Sequence, residues 1–143
     1  MNQLREDVHI HSTPDMIFGR LRAPDEGEWF ARAFGEPGSN GSGLSYDLRL
    51  PLRRERARLS TTAEQVPTLL VMERDDDEAP LVSLSWALHP EADGEVHVTV
   101  DVQYQPAGGL FGTLLEQLLY DGLRRQAYRD ALWRLKHLIE DGE

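Results

Sequence analysis

The sequence contains no cysteine among its 143 residues. Disulfides, thiolate nucleophiles and sulfur-ligated zinc or iron–sulfur centres are therefore excluded. Basic residues are scarce: 15 Lys+Arg against 25 Asp+Glu give a formal net charge of −10. That balance repels phosphate backbones and anionic headgroups, so a nucleic-acid partner is not expected. No stretch approaches the roughly 18 to 20 apolar residues of a membrane span, and Arg5, Glu6 and Asp7 follow the start with no apolar run behind them. Membrane insertion is not expected, and a cytoplasmic protein is. Also missing are Gly-x-Ser-x-Gly, His-Glu-x-x-His and a phosphate loop, the signatures of common hydrolase, metalloprotease and nucleotide sites. What is present is ordinary globular usage, 40% apolar and 28% charged, which excludes disorder and collagen-like fibres. One domain spanning residues 1–143 is expected, burying roughly 70% of its unfolded surface.

Periodicity supplies the element order. Val8 and Ile10 alternate with His9 and His11 between Asp7 and Ser12, the two-residue period of a half-buried strand. Ser12-Thr13-Pro14-Asp15 offers a helix cap, and Met16, Ile17, Phe18 and Leu21 give a short helical face ending before Pro24. A second start at Pro24-Asp25-Glu26 predicts another short helix carrying Trp29, Phe30, Ala33 and Phe34 and stopping at Gly35. Gly35 to Gly43, GEPGSNGSG, reads as a loop. Strands follow at Leu44–Leu50, along the arginine-rich stretch Arg54–Leu59, at Thr68–Arg74, at Val82–Leu88 and at Val96–Tyr104, the last two forming an antiparallel hairpin. From Leu110 to Glu140 there is no proline, and a helix of about 30 residues is expected. Strand, two short helices, an antiparallel meander and one long helix make an α+β fold in which the helix lies against a curved sheet.

The segments VHIHSTPDMIFGRL (Val8 to Leu21), SWALHP (Ser85 to Pro90) with the valine-rich strand behind it, YQPAGGLFGTLL (Tyr104 to Leu115) and RDALWRLKHLIE (Arg129 to Glu140) together resemble the START-like helix-grip (SRPBCC) superfamily. That superfamily includes polyketide cyclases and dehydrases, coenzyme Q-binding proteins and lipid carriers. The resemblance runs through most of the chain and implies a curved antiparallel sheet gripping the C-terminal helix, with a ligand cavity between them. It implies binding of a small hydrophobic molecule such as a polyketide, isoprenoid quinone, lipid or aromatic compound. Alternatives are a polyketide cyclase or dehydratase acting on a bound chain, and a protein–protein interaction module whose cavity is filled. The patterns are those of a fold, and they identify no shared catalytic motif and no cofactor.

Candidate residues follow from the faces these elements present. On the long helix, Leu114, Leu118, Tyr128, Leu132 and Ile139 fall on one stripe, interrupted by Asp121 and Arg125, four residues apart and able to bond to each other. Either this pair faces the cavity, with Arg125 donating to a ligand oxygen, or a local rotation at Gly122 turns both to solvent. Trp29, Phe30 and Phe34 form a lid or plain core, and Phe111 with Leu114 could make the opposite lip. Tyr46, Trp86, Val98, Val100, Tyr104 and Leu118 belong to apolar sets and are expected to line the cavity. Tyr104, Arg125 and Asp121 are weak catalytic candidates, through enolate stabilisation or general acid chemistry. His9 and His11 share a strand face at a metal-capable spacing without an evident third ligand, so no metal site is expected, and His89 and His97 are expected to be exposed. Arg54, Arg56 and Arg58 share one strand face beside Arg49 and Arg53, solvated and paired with acidic neighbours or docking an acidic partner.

Overall fold

A computed structural model describes the chain over residues 2–40, 43–105 and 114–142, and of residues 36 and 40 the backbone alone. Seven strands form one antiparallel sheet: β1 (Asn2–His11), β2 (Gly35–Asn40), β3 (Gly43–Leu50), β4 (Arg53–Gln65), β5 (Leu69–Arg74), β6 (Leu81–Pro90) and β7 (Glu95–Tyr104). Their spatial order is β1-β7-β6-β5-β4-β3-β2, so the first two strands of the chain stand at opposite edges. The connection between them must cross the whole sheet, and it does so over the concave face. It begins with α1 (Pro14–Arg22), capped by the Thr13 hydroxyl, which accepts from the Met16 N–H at 3.3 Å. Register shifts in β4 opposite β5 and in β6 opposite β7 add the local bends that curve a sheet. The C-terminal helix α2 (Asp121–Asp141) lies in the curve against β1 and ends at Gly142 in the left-handed conformation, φ 73°. The expected α+β architecture, a curved antiparallel sheet wrapped around a long C-terminal helix, is therefore observed.

The alternation along the strands decides what is inside. Ile10, Tyr46, Leu84, Val98, Val100 and Val102 are buried, whereas His9, Arg54, Arg56 and Arg58 point out. Arg54 and Arg56 both reach Asp47, at 3.7 and 3.0 Å, as expected of a solvated arginine face.

Four expectations need correction. The GEPGSNGSG segment is not wholly a loop: Gly35–Asn40 is edge strand β2, paired to β3 from Gly35 opposite Asp47 to Asn40 opposite Gly43. Such a strand is held by its backbone ladder and needs no alternating side chains. At Gly35 a Cβ would stand 2.9 Å from Arg49 Nε, so the Arg49 side chain lies over this glycine. The second short helix does not form. Gly27 and Glu28 have φ of 82° and 60°, which interrupts any helical run, and what remains is a set of turns closed by bonds such as Phe34 N–H to Phe30 C=O, 2.9 Å. The first strand also begins earlier, at Asn2.

The fourth correction concerns the long helix. Residues Glu116–Tyr120 form a π turn ahead of α2. The extra residue in that turn rotates everything before it relative to a regular 3.6-residue period. The buried stripe is Glu116, Tyr120, Arg124, Tyr128, Ala131, Leu132 and Leu135. Leu114 and Leu118, expected inside, are 50% and 74% exposed. The expected helix start and Phe111 lie outside the described residues.

Candidate functional site

Three zones occupy the concave face. The first is an aromatic block delivered by the crossing segment. Phe30 and Phe34 pack on Tyr46 with ring centroids 4.9 and 4.8 Å apart, Phe34 lies 4.8 Å from Tyr128, and Trp29 meets Trp86 edge-on at 6.1 Å. The Tyr46 and Tyr128 hydroxyls share a 2.8 Å hydrogen bond. Burial, then the neighbouring Tyr128, raises the Tyr46 hydroxyl well above the ordinary tyrosine range, and burial raises Tyr128 as well. Trp29, Phe30, Phe34, Tyr46 and Trp86 thus come together inside the sheet, as the sequence indicates, with Val98 and Val100 in the same core cluster.

The second zone is a buried ion cluster. Arg124 donates from Nη1 to Glu55 and from Nη2 to Glu116, the latter at 2.7 Å, and its guanidinium carbon sits 4.1 Å over the Tyr104 ring centroid. Burial alone would lower the Arg124 pKa, but Glu55 and then Glu116 more than reverse it and hold the guanidinium charged. Arg53 turns inward too, donating to Glu55 at 2.8 Å and lying over Tyr120, 4.7 Å from its centroid. Tyr104 donates to Asp121 at 2.6 Å, and burial together with that bond pushes its pKa up to about 12. Arg53 Nε, Arg124 Nε, Glu116 Oε2 and Trp29 Nε1 are buried without a hydrogen-bond partner. Orphaned groups of this kind cost stability wherever no water or ligand meets them. Beside the cluster, Tyr46, Leu48, Glu55, Arg124 and Tyr128 border a small void of about 10 Å³, room for about one water.

The Asp121–Arg125 bond does form, at 3.4 Å, but both side chains are about two-fifths exposed, and Arg125 lines an outer groove with Gln126, Arg129 and Asp130. The inward cation is Arg124. Sequence reasoning missed it by drawing the stripe through Arg125, three residues before Tyr128, when the buried line runs through Arg124, four residues before Tyr128 and eight before Leu132. It also missed Glu55, although Glu55 has the parity of Ala57 and Leu59, opposite to the outward Arg54, Arg56 and Arg58; that parity was the available signal.

The third zone is an open groove of about 380 Å³ where α1 and the following turn meet the far half of the sheet. Its apolar lining is Leu21, Pro24, Leu44, Leu70 and Met72, and its polar lining includes Ser39, Thr61 and the ion pair Arg22–Glu64, 3.0 Å. The volume falls within the usual span of small-molecule sites. Leu44 lies two residues from Tyr46 on the same face of β3, and Leu70 is the cross-strand partner of Trp86, so the groove abuts the aromatic block.

Several solved structures share this arrangement of sheet and helix. TTHA0849 from Thermus thermophilus superposes with a TM-score of 0.75 at 14% identity, over 99% of each chain. The Aha1 dimer from Colwellia psychrerythraea gives 0.68 at 13% identity, over 100% of this chain and 99% of that one. A START superfamily protein from Mycobacterium smegmatis gives 0.62 at 11% identity, over 95% and 98%. The fold is helix-grip-like, a curved antiparallel sheet wrapped around a long C-terminal helix. At such identities the likeness is one of fold alone. No protein-family model matches the chain, and no curated protein matches it in sequence.

Proposed function

We propose that this protein binds a small hydrophobic molecule on the concave face of its sheet, seated in the groove between α1 and strands β3 to β5. The observation that carries this reading is the groove's lining: Leu21, Leu44, Leu70 and Met72 belong to the hydrophobic core yet border an open space of about 380 Å³. Apolar burial, at about 25 cal/mol per Å², would supply the affinity, and Arg22, Glu64 and Ser39 would orient a polar end. Among the described residues the aromatic block packs against Tyr128 of α2, and the groove beside it is the site this reading favours. Lipids, quinones, polyketides and simple aromatics all fit the chemistry of the lining. Cyclase or dehydratase chemistry has no comparable support, because the Tyr104 hydroxyl is already committed to Asp121.

The test is native mass spectrometry of gently purified, untagged protein, followed by solvent extraction. The expected result is a carried apolar compound, or stabilisation by one in a thermal-shift screen, in either case abolished by Ser39→Trp, which fills the groove. A clean apo mass with no stabilising compound would refute the reading and favour the filled interaction module.

A further inference from the structure

We propose that His9, His97 and Glu91 form a binding site for one divalent transition-metal ion of the zinc class on the outer face of the sheet. The site is separate from the groove and does not rest on its reading. His9 on β1 and His97 on β7 are direct cross-strand partners, and their imidazoles stack at 4.4 Å with planes 8° apart. Glu91, in the turn before β7, places Oε1 2.8 Å from His9 Nδ1. One donor atom from each of the three residues lies within 4.8 Å of the others. Bonds of about 2.0–2.1 Å around a tetrahedral ion put ligand atoms roughly 3.3 Å apart, so small side-chain rotations close the site.

The surroundings match a metal centre's outer contacts. Asp7 Oδ2 lies 2.7 Å from His97 Nε2, and Glu95 Oε1 lies 2.9 Å from His9 Nδ1, carboxylates of the kind that orient ligating imidazoles or replace one another as ligands. His11 Nε2 is 3.8 Å from Glu95, and His89 stands directly opposite His97 on β6, so further imidazoles stand nearby. Glu91 is held by its N–H, which donates to the Glu95 carbonyl at 2.7 Å across a turn containing Asp93 and Gly94 with φ of 65° and 72°. Two imidazoles and a carboxylate suit zinc, nickel or copper ions, with the fourth position left to water. A bound ion would tie β1 to β7 and the β6–β7 turn. The sequence shows only His9 and His11 as near neighbours, and the third ligand emerges from the register of three strands.

Isothermal titration of the untagged chain with zinc chloride in a non-chelating buffer tests this, paired with thermal melts. The expected result is one ion bound per chain, a raised Tm, and at least about a tenfold loss of affinity in both His9→Ala and His97→Ala. His137→Ala, at an exposed histidine on α2 paired with Asp141 at 2.9 Å, should bind as wild type. No binding, or binding unchanged in His9→Ala and His97→Ala, would overturn the proposal. Both substitutions lie on the outer face, and matching circular-dichroism spectra separate lost ligation from lost folding.

Discussion

Arg124 lies over the ring of Tyr104, its guanidinium carbon 4.1 Å from the centroid, and commits both guanidinium arms to the buried carboxylates Glu55 and Glu116. This ties α2, the π turn ahead of it and strand β4 into one unit. Arg125, its neighbour in sequence, stands on the outside.

That contrast gives a direct stability test. Arg124→Met leaves Glu55 and Glu116 buried with only Arg53 nearby, and should cost about 3–5 kcal/mol in urea denaturation. Arg125→Ala, removing a part-exposed ion pair, should cost under about 1 kcal/mol. Adding Glu55→Gln and Glu116→Gln to Arg124→Met should recover part of the loss. Equal effects of the two single changes would contradict the helical phase described here.

Alkali should unfold the protein early. Tyr46, Tyr104 and Tyr128 all have raised pKa values, Tyr104 about 12, chiefly through burial. A raised folded value means the neutral phenol is favoured more in the folded state than in the unfolded one. Each contribution is complete below the ordinary tyrosine value of about 10 and is lost as pH rises above it, for Tyr104 through about 12. Denaturation midpoints measured across that window should fall, and Tyr104→Phe should blunt the fall. A flat profile would count against the buried placement.

Tryptophan fluorescence separates inside from outside. Trp29 and Trp86 are buried, and Trp133 is 48% exposed. Acrylamide should quench a Trp133-type component alone, and Trp133→Phe should remove it while leaving a blue-shifted remainder. An apolar compound in the groove should alter that remainder, since Trp86 is the cross-strand partner of Leu70 in the groove wall.

The fold was legible in the sequence wherever one face of an element is apolar and the other is not. Val96 to Tyr104 announced β7 and its inward valines, and Thr13-Pro14 announced α1. β2 was illegible because Gly35–Asn40 pairs through its backbone and carries no side-chain alternation. The candidate site was half legible. Its aromatics stood out, but Arg124 was hidden because Arg124 and Arg125 lie on either side of the line through Tyr128 and a helical stripe admits both, and the groove joins Leu21, Leu44 and Met72 across distances in sequence that periodicity does not bridge. The His9–Glu91–His97 group was hidden for the same reason, since only the pairing of β1 with β7 and the turn after β6 brings the three together.

Groove occupancy is best checked residue by residue, by mapping amide shifts in the ¹H–¹⁵N spectrum of the labelled protein as N-phenyl-1-naphthylamine, an apolar probe, is added. The account predicts saturable shifts centred on Leu21, Ser39, Leu44, Leu70 and Met72, lost in Ser39→Trp. Shifts confined to the exposed Leu118 and Leu119 of the π turn, or no shifts at all, would contradict it.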